Sequence, residues 1–370
     1  MLMRVLFLYD AAFLEREAEL AARLEVGLAD EGVRIFRGVP ESLVGRSEEH
    51  LGSQEIGVPS PGLFAPVRMQ ATQVLAQLPK SGDDLPVDVI HAFGEPLWAL
   101  GARLAHKTGA ALALEVWKSS QTARAVGLRI GGSGGRAPVL LAPDQAIASR
   151  LEEAGAQGRV RVTRWGVHAA SAPRPILRRD RTIGVVFMIS GRDPRASRAA
   201  LLGAKRLLEH DPDAVLIAEA EAAHKTGLWA EAGDASMLRN LSLIDRLEQG
   251  RDLLMRADML LVPEVTGEHR SMLLSAMGSG MLVAAVPDPD IDAVGCEGVL
   301  RLQAQTEEAW AGLFDGVLRD PDNAERQAAS GWSYVRQQRR ASTHIASVLD
   351  AYEWMCSGDS VPIGDHMPGG

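Results

Sequence analysis

The chain has 370 residues, 46% of them hydrophobic, and a formal net charge of -9. This length exceeds what one compact core usually holds, so we expect two domains. The acidic balance, with basic residues scattered along the chain, disfavours nucleic-acid binding. The apolar runs are far below the roughly 20 residues that span a bilayer, and Cys296 and Cys356 offer neither a disulfide framework nor a zinc-ligand spacing. We therefore expect a cytoplasmic protein without a transmembrane segment.

Strand-like runs alternate with amphipathic stretches along the first half of the chain. This pattern is typical of parallel sheets covered by helices on both faces, so the predicted fold class is α/β. The clearest helix is predicted over Ala12 to Asp30. Strands are expected at Arg4 to Tyr9, Val33 to Phe36, Val87 to Phe93, Ala111 to Trp117, Val139 to Ala142 and Val160 to Trp165. The glycine-rich stretch 127–138 predicts a mobile loop, because no Lys-Ser or Lys-Thr follows to make a phosphate cradle.

A second series of strands and helices begins after an interruption. Prolines and arginines break the periodicity over residues 171–181, which predicts a linker. The expected strands beyond it are Thr182 to Ile189, Ala214 to Ala218, Met259 to Val262 and Met281 to Val286. Helices are predicted over Ala196 to Glu209, over Asp245 to Met255, and over Ala324 to Met355 with a break near Gly331.

A polar turn and an amphipathic helix follow the strand at Met259 to Val262. In an open parallel sheet the loop after a strand lies at the carboxyl edge, where ligands bind, and the next helix directs its positive end there. Gly267, Glu268, His269 and Arg270 are therefore candidate ligands for a phosphate or carboxylate. The alternative is an ordinary capped connection between strand and helix.

Three arginines surround the start of the helix that follows Ser190-Gly191. They are Arg192, Arg195 and Arg198. Guanidinium groups hold phosphate oxygens in a fixed fork and keep their charge, as a diphosphate leaving group requires. The alternative is that they are solvated and pair with Asp193 and Glu209.

Four segments together resemble GT-B glycosyltransferases, particularly family 4 of the nucleotide-sugar-dependent transferases. In order they read DVIHAFGEPLWALGARLAHKTGAAL, LLAPDQAIASRLEEAGAQGRVRVTRWGVH, ISGRDPRAS and LLMRADMLLVPEVTGEHRSMLLSAMGSGMLVAA. The resemblance covers nearly the whole chain and implies two Rossmann-like domains that face a cleft. The domains are then residues 1–170 on the acceptor side and 182–330 on the nucleotide-sugar side. Residues 331–357 form a helix long enough to cross back to the first domain, and 358–370 a flexible tail.

The resemblance also implies roles for individual residues. Arg192 matches the family arginine that binds the donor diphosphate, and the family lysine falls on Ser197, so Arg195 or Arg198 can substitute for it. The two family glutamates fall on Gly267 and Ser275. Glu268 can replace the first only if the turn there is not yet helical, and Ser275 can accept one bond from the donor ribose.

On the acceptor side, His91 matches the family's cleft histidine, and Glu95 follows it at the end of the same strand. A histidine after the apolar run Val87 to Ile90 also fits a satisfied residue at a strand end. The pairs Asp211/Asp213 and Asp288/Asp290 each flank a proline, which is typical of turns and disfavours a metal site.

The implied activity is metal-independent transfer of a sugar from a nucleotide diphosphate sugar to an unknown acceptor. The resemblance implies retention of the anomeric configuration and no cofactor beyond the nucleotide-sugar co-substrate. Because the departures at Ser197, Gly267 and Ser275 fall on catalytic positions, a non-catalytic binding or scaffolding protein is the alternative. The sequence names neither the base, the sugar, the acceptor nor the oligomeric state.

Overall fold

The computed structural model describes residues 3–45, 53–59, 66–79, 86–131, 135–178, 180–247 and 256–357. The chain divides into two compact units. Unit 1 comprises Met1–Trp165 and Ala341–Gly370, and unit 2 comprises Gly166–Arg340. Within the described ranges, none of the helices combines the length and the apolar character needed to cross a bilayer.

Unit 1 is built on a parallel sheet. Its described strands are β1 Arg4–Tyr9, β2 Arg34–Pro40, β3 Gln54–Val58, β4 Val89–Phe93, β5 Ala111–Glu115, β6 Val139–Ala142 and β7 Val160–Val162. The strand order is β3-β2-β1-β4-β5-β6-β7, so it reverses between β1 and β4. The first helices are α1 Ala11–Asp30, α2 Val67–Gln77, α3 Trp98–Thr108, α4 Thr122–Gly127 and α5 Gln145–Leu151.

Unit 2 repeats this arrangement. Its described strands are β8 Gly184–Phe187, β9 Val215–Glu219, β10 Leu241–Ile244, β11 Met259–Val262, β12 Leu282–Ala285 and β13 Val299–Arg301, in the order β10-β9-β8-β11-β12-β13. The described helices are α6 Pro194–Gly203, α7 Lys205–His210, α8 Ala220–Thr226, α9 Leu228–Asp234, α10 Arg270–Ser279, α11 Glu307–Arg319 and α12 Pro321–Gln338. The strand order reverses between β8 and β11.

The last helix, α13 (Ala341–Cys356), belongs to unit 1. It covers a sheet face rich in aromatic rings, among them Phe7 and Phe93, which pack edge to face 5.4 Å apart. The opposite face of the same strands is aliphatic, with Leu6 and Leu8 buried. Because alternate residues of a strand point to opposite faces, β1 supplies both layers.

The sequence placed the helix break of the carboxy-terminal region wrongly. Helix α12 runs through Gly331 and ends at Gln338, and α13 begins at Ala341. A β-carbon on Gly298 would clash with the Cα of Gly331. Glycine is present at 331 because two backbones pass closely there, so it marks a packing contact rather than an interruption.

Other expectations differ at element boundaries or lie outside the described ranges. Strands β3, β10 and β13 and helices α8, α9 and α11 were not predicted, and the helix predicted over 196–209 is two helices. Most of the helix predicted over 245–255, and the tail 358–370, lie outside the described residues. The mobility of the glycine-rich loop stays a prediction. Its described parts include a bridge between Ile130 and Arg136.

Candidate functional site

The loops that follow β8 and β11 meet at the carboxyl edge of the unit 2 sheet. The two strands are hydrogen-bonded neighbours, and the strand order reverses between them. Open parallel sheets bind ligands at such a reversal, because the neighbouring loops leave a crevice there. The residues that this topology brings together are 188–193 and 263–269.

The β8 loop carries Arg192 at the start of α6. Asp193 caps that helix, since its carboxylate accepts the amides of Arg195 and Ala196 at 3.0 Å each, and Pro194 occupies the first helical turn. Proline and a capping aspartate fix the start of a helix. The Arg192 side chain is left 53% exposed at the end of the strand.

The β11 loop is not helical before residue 270. Gly267 and His269 have left-handed φ angles of 64° and 57°, and α10 begins at Arg270. This is the condition under which Glu268 can take the place of a carboxylate expected at position 267. The Glu268 side chain is 2% exposed, and its Oε1 lies 2.9 Å from Arg192 Nη1. The two loops are therefore joined by an ion pair.

Glu264 is a second link between these loops, and the sequence did not single it out. This buried carboxylate accepts the amide of Ser190 at 2.9 Å and the hydroxyl of Ser197 at 3.0 Å, and it also accepts the Ser190 hydroxyl. Ser197 is fully buried. Ser197, at the position where the resemblance places the family lysine, thus donates its hydroxyl to a carboxylate. Pro263-Glu264 stands where the family has Pro-Ser.

Asp288, in the loop after β12, holds the β11 loop from its other side. Its Oδ2 accepts the amides of Thr266 at 3.1 Å and Gly267 at 2.8 Å, and its Oδ1 accepts the amide of Asp290 at 2.9 Å. Sequence analysis assigned the amides of this turn to an external anion. One of them, the amide of Gly267, binds an internal carboxylate. The turn at Asp288 can be recognised in the sequence from the prolines beside it. The amides that its carboxylate binds cannot, because they depend on the pairing of β11 with β12.

Arg270 also has a different environment from the one expected. The side chain is 1% exposed, Nη1 donates to the Gly267 carbonyl at 2.8 Å, and Nη2 donates to the Asp290 carbonyl. The guanidinium therefore holds two loops in place, and its role as a ligand for phosphate stays a prediction. Ser275 lies 9% exposed in the second turn of α10.

The other two arginines of α6 are exposed. Arg198 Nε pairs with Glu231 Oε2 of α9 at 2.9 Å, whereas Arg195 takes part in the cap through its backbone. Glu209, the partner considered from the sequence, pairs with Arg206. Within the described ranges, Arg192 is the arginine of this group that pairs with the β11 loop.

In unit 1 the corresponding reversal lies between β1 and β4, where Asp10 and Glu95 follow the strands. Asp10 caps α1 by accepting the amide of Phe13 at 2.5 Å, and burial raises the pKa of its carboxyl while that amide and Arg16 lower it. Glu95 is 33% exposed and pairs with Arg124 at 2.7 Å. Glu95 thus lies at the carboxyl edge of the sheet, as the sequence places it.

His91 is enclosed in the core of unit 1, and its role on the acceptor side stays a prediction. It lies within β4 and is fully buried, with Nδ1 2.6 Å from Tyr352 Oη and Nε2 3.0 Å from Glu115 Oε2. Glu115 Oε1 also accepts the indole N–H of Trp165 at 2.6 Å. Burial lowers the pKa of His91, although Glu115 opposes the shift. These surroundings agree with the alternative expectation, in which both ring nitrogens of His91 have hydrogen-bond partners.

No protein-family model matches the sequence, and no curated relative was found. Solved structures do match. A glycosyltransferase from Rickettsia africae is 14% identical with a TM-score of 0.73, covering 96% of this chain and 99% of that one. Anabaena HepE in complex with UDP-glucose is 13% identical with a TM-score of 0.70, covering 94% and 100%. The sucrose-phosphate synthase from Thermosynechococcus elongatus is 13% identical with a TM-score of 0.74, covering 95% and 99%.

These matches extend over nearly the full length of both chains, and both parallel sheets take part. At such low identity a structural likeness establishes architecture, since one fold hosts many functions. The chain therefore has the GT-B fold of glycosyltransferases.

Proposed function

We propose that the protein transfers a sugar from a nucleotide diphosphate sugar to an acceptor, without a metal ion and with retention of configuration. The observation that carries the proposal is the Arg192–Glu268 pair, which joins the two loops at the strand reversal of unit 2. The structures of similar fold include one solved with UDP-glucose, which fits a nucleotide-sugar ligand.

In this proposal Arg192 binds the diphosphate. Its guanidinium is half exposed and keeps its charge, so it can stabilise the negative charge that grows on the leaving group. Arg270, Glu264 and Asp288 act as positioning residues, because their hydrogen bonds fix the loops that carry Arg192 and Glu268. Ser275 accepts a ribose hydroxyl, and Glu95 belongs to the acceptor side.

The second candidate is a module that binds nucleotide sugars without turning them over. It is favoured by Ser197, whose hydroxyl binds Glu264 where the family has a lysine, and by Gly267 and Ser275, which replace the family glutamates. The free thiols of Cys296 and Cys356 fit a reducing compartment, so a cytoplasmic location is part of both proposals.

Calorimetric titration with UDP, GDP, ADP and dTDP, and with their glucose conjugates, tests the site, and a sugar-release assay tests catalysis. We expect Arg192→Ala to lose binding by about tenfold or more, since it removes a charged hydrogen-bond donor. Arg206→Ala is the matched control, because Arg206 is also half exposed and pairs with Glu209 at 2.9 Å.

The outcomes separate the two candidates. Binding that depends on Arg192, together with sugar release, supports the transferase. Such binding without release from any conjugate supports the module. Equal binding by Arg192→Ala and Arg206→Ala, or no binding at millimolar ligand, contradicts the site itself.

A further inference from the structure

Internal carboxylates occupy the donors that an external phosphate would need at the edge of the unit 2 sheet. Asp288 accepts the amides of Thr266 and Gly267, Glu264 accepts the amide of Ser190, and Glu268 pairs with Arg192. A phosphate oxygen binds the same amides and guanidinium groups as a carboxylate oxygen does. The site thus contains its own anions.

The three carboxylates differ in how firmly they are held. Glu264 and Asp288 each accept three hydrogen bonds, and those bonds come from backbone amides or short serine hydroxyls. Such donors cannot move without moving the loops. Arg192, in contrast, is a long side chain that is 53% exposed, so it can leave Glu268 by rotating into solvent or toward a ligand.

Resting on the function proposed above, we propose that Glu268 is an internal competitor for the anion that Arg192 binds. The carboxylate neutralises the guanidinium in the unoccupied site, and a diphosphate binds only by displacing it. The pair therefore selects ligands: a dianionic phosphate can outcompete one carboxylate, whereas a monoanion or an uncharged nucleoside gains nothing from Arg192.

The position of Glu268 is what makes the competition effective. Its side chain is 2% exposed and sits on a turn fixed by Asp288 and Arg270, so the carboxylate stays near the site after Arg192 leaves. A bound diphosphate then meets a buried negative charge, and like charges in a partly buried site repel more strongly than in water. Removing that charge without changing the shape of the side chain should tighten binding.

Glu268→Gln is that change. We expect it to bind the preferred nucleoside diphosphate about tenfold more tightly than wild type, equivalent to about 1.4 kcal/mol, with the affinity for the matching nucleoside unchanged. The gain should become smaller when Arg192→Gln is added, because the competition for the guanidinium is then lost and only the charge repulsion remains. Glu231→Gln is the matched control, since Glu231 pairs with Arg198 at the same 2.9 Å distance.

The outcomes distinguish this inference from the proposed function. If wild type binds a nucleoside diphosphate and Glu268→Gln binds it equally or more weakly, the competitor role is overturned while the binding site stands. If neither protein binds any of UDP, GDP, ADP and dTDP at millimolar concentration, both proposals fail. Should Glu268→Gln not fold, Glu268→Asp serves instead, because a shorter carboxylate weakens the pair and should give a smaller gain.

Discussion

The hydroxyl of Tyr352 lies 2.6 Å from Nδ1 of His91, although the two residues are 261 positions apart in the chain. Tyr352 is on α13, which follows the return of the chain to unit 1 at Ala341, and His91 is in the centre of the unit 1 sheet. Both side chains are fully buried. Glu115 connects this pair to Trp165, the last residue before the chain enters unit 2. One buried network thus connects the central strand β4 with helix α13, which follows the return of the chain, and with Trp165, after which the chain leaves unit 1.

Tyr352→Phe removes the hydroxyl and leaves Nδ1 of His91 buried without that partner. An unsatisfied buried polar group costs about 1 to 3 kcal/mol. We expect urea unfolding to show a loss of that size. Tyr334→Phe is the control: Tyr334 is only partly buried, and its hydroxyl accepts a bond from Arg339 at 3.0 Å. An equal loss in the two variants would contradict a special role for the His91 network.

His91 should also make the stability of the protein depend on pH. Burial lowers the pKa of His91 in the folded state, so below about 6.5 the unfolded chain binds a proton that the folded chain does not. The free energy of unfolding should therefore fall as the pH falls from about 6.5 to the lowered pKa, by up to about 1.4 kcal/mol per pH unit.

The difference between wild type and His91→Gln isolates this effect. Burial raises the pKa values of Asp10 and Glu25. Their contributions to the free energy of unfolding therefore have the opposite sign to that of His91 and favour the folded state as the pH falls. Those contributions are common to both proteins and cancel in the difference. Glu115 and Tyr352, which face His91, are also present in both. Parallel stability curves between pH 7 and pH 5 would show that His91 does not titrate as inferred.

The contact of Gly298 with Gly331 predicts opposite effects for two glycine substitutions. Gly298→Ala puts a methyl group into the backbone of α12, and overpacking of this kind costs about 1 to 3 kcal/mol. Gly316→Ala, in α11, meets nothing within 4 Å, so the better helix propensity of alanine should make it neutral or stabilising by up to about 1 kcal/mol. Thermal unfolding of the two variants and of wild type measures both changes in stability. Similar stability in both would contradict the close packing of α12.

The sequence predicts the architecture better than the contacts of the site. Strands β1, β6 and β11 have the bounds predicted for them, because strands buried on both faces are nearly continuous apolar segments. The neighbourhood of Arg192 and Glu268 agrees with the same pattern, since both residues lie in loops that follow strands of one parallel sheet. The carbonyl partner of Arg270 at Asp290 was not predicted because it is supplied by a different loop. Glu264 was missed because a carboxylate after a strand normally marks a solvated loop.

The pair formed by Glu264 and Ser197 leads to a prediction about restoring the pattern of the family. Ser197→Lys alone introduces a long side chain at a fully buried position, which should destabilise unit 2 by about 1 to 3 kcal/mol. The new ammonium would also pair with Glu264, whose Oε1 lies 3.0 Å from the Ser197 hydroxyl, and would be unavailable to a phosphate. We therefore expect no gain in affinity for nucleoside diphosphates from this single change.

Adding Glu264→Ser to Ser197→Lys should change both the stability of the protein and its affinity for nucleoside diphosphates. The serine removes the internal anion that would neutralise the ammonium, which is then buried without a carboxylate partner, so the double variant should be less stable than Ser197→Lys. It should also bind the preferred nucleoside diphosphate more tightly than wild type, because one buried negative charge near the ligand is replaced by a positive one. Urea unfolding and calorimetry on the wild type, both single variants and the double variant give the coupling energy directly. If the two changes were additive, Glu264 and Ser197 would not act as a unit.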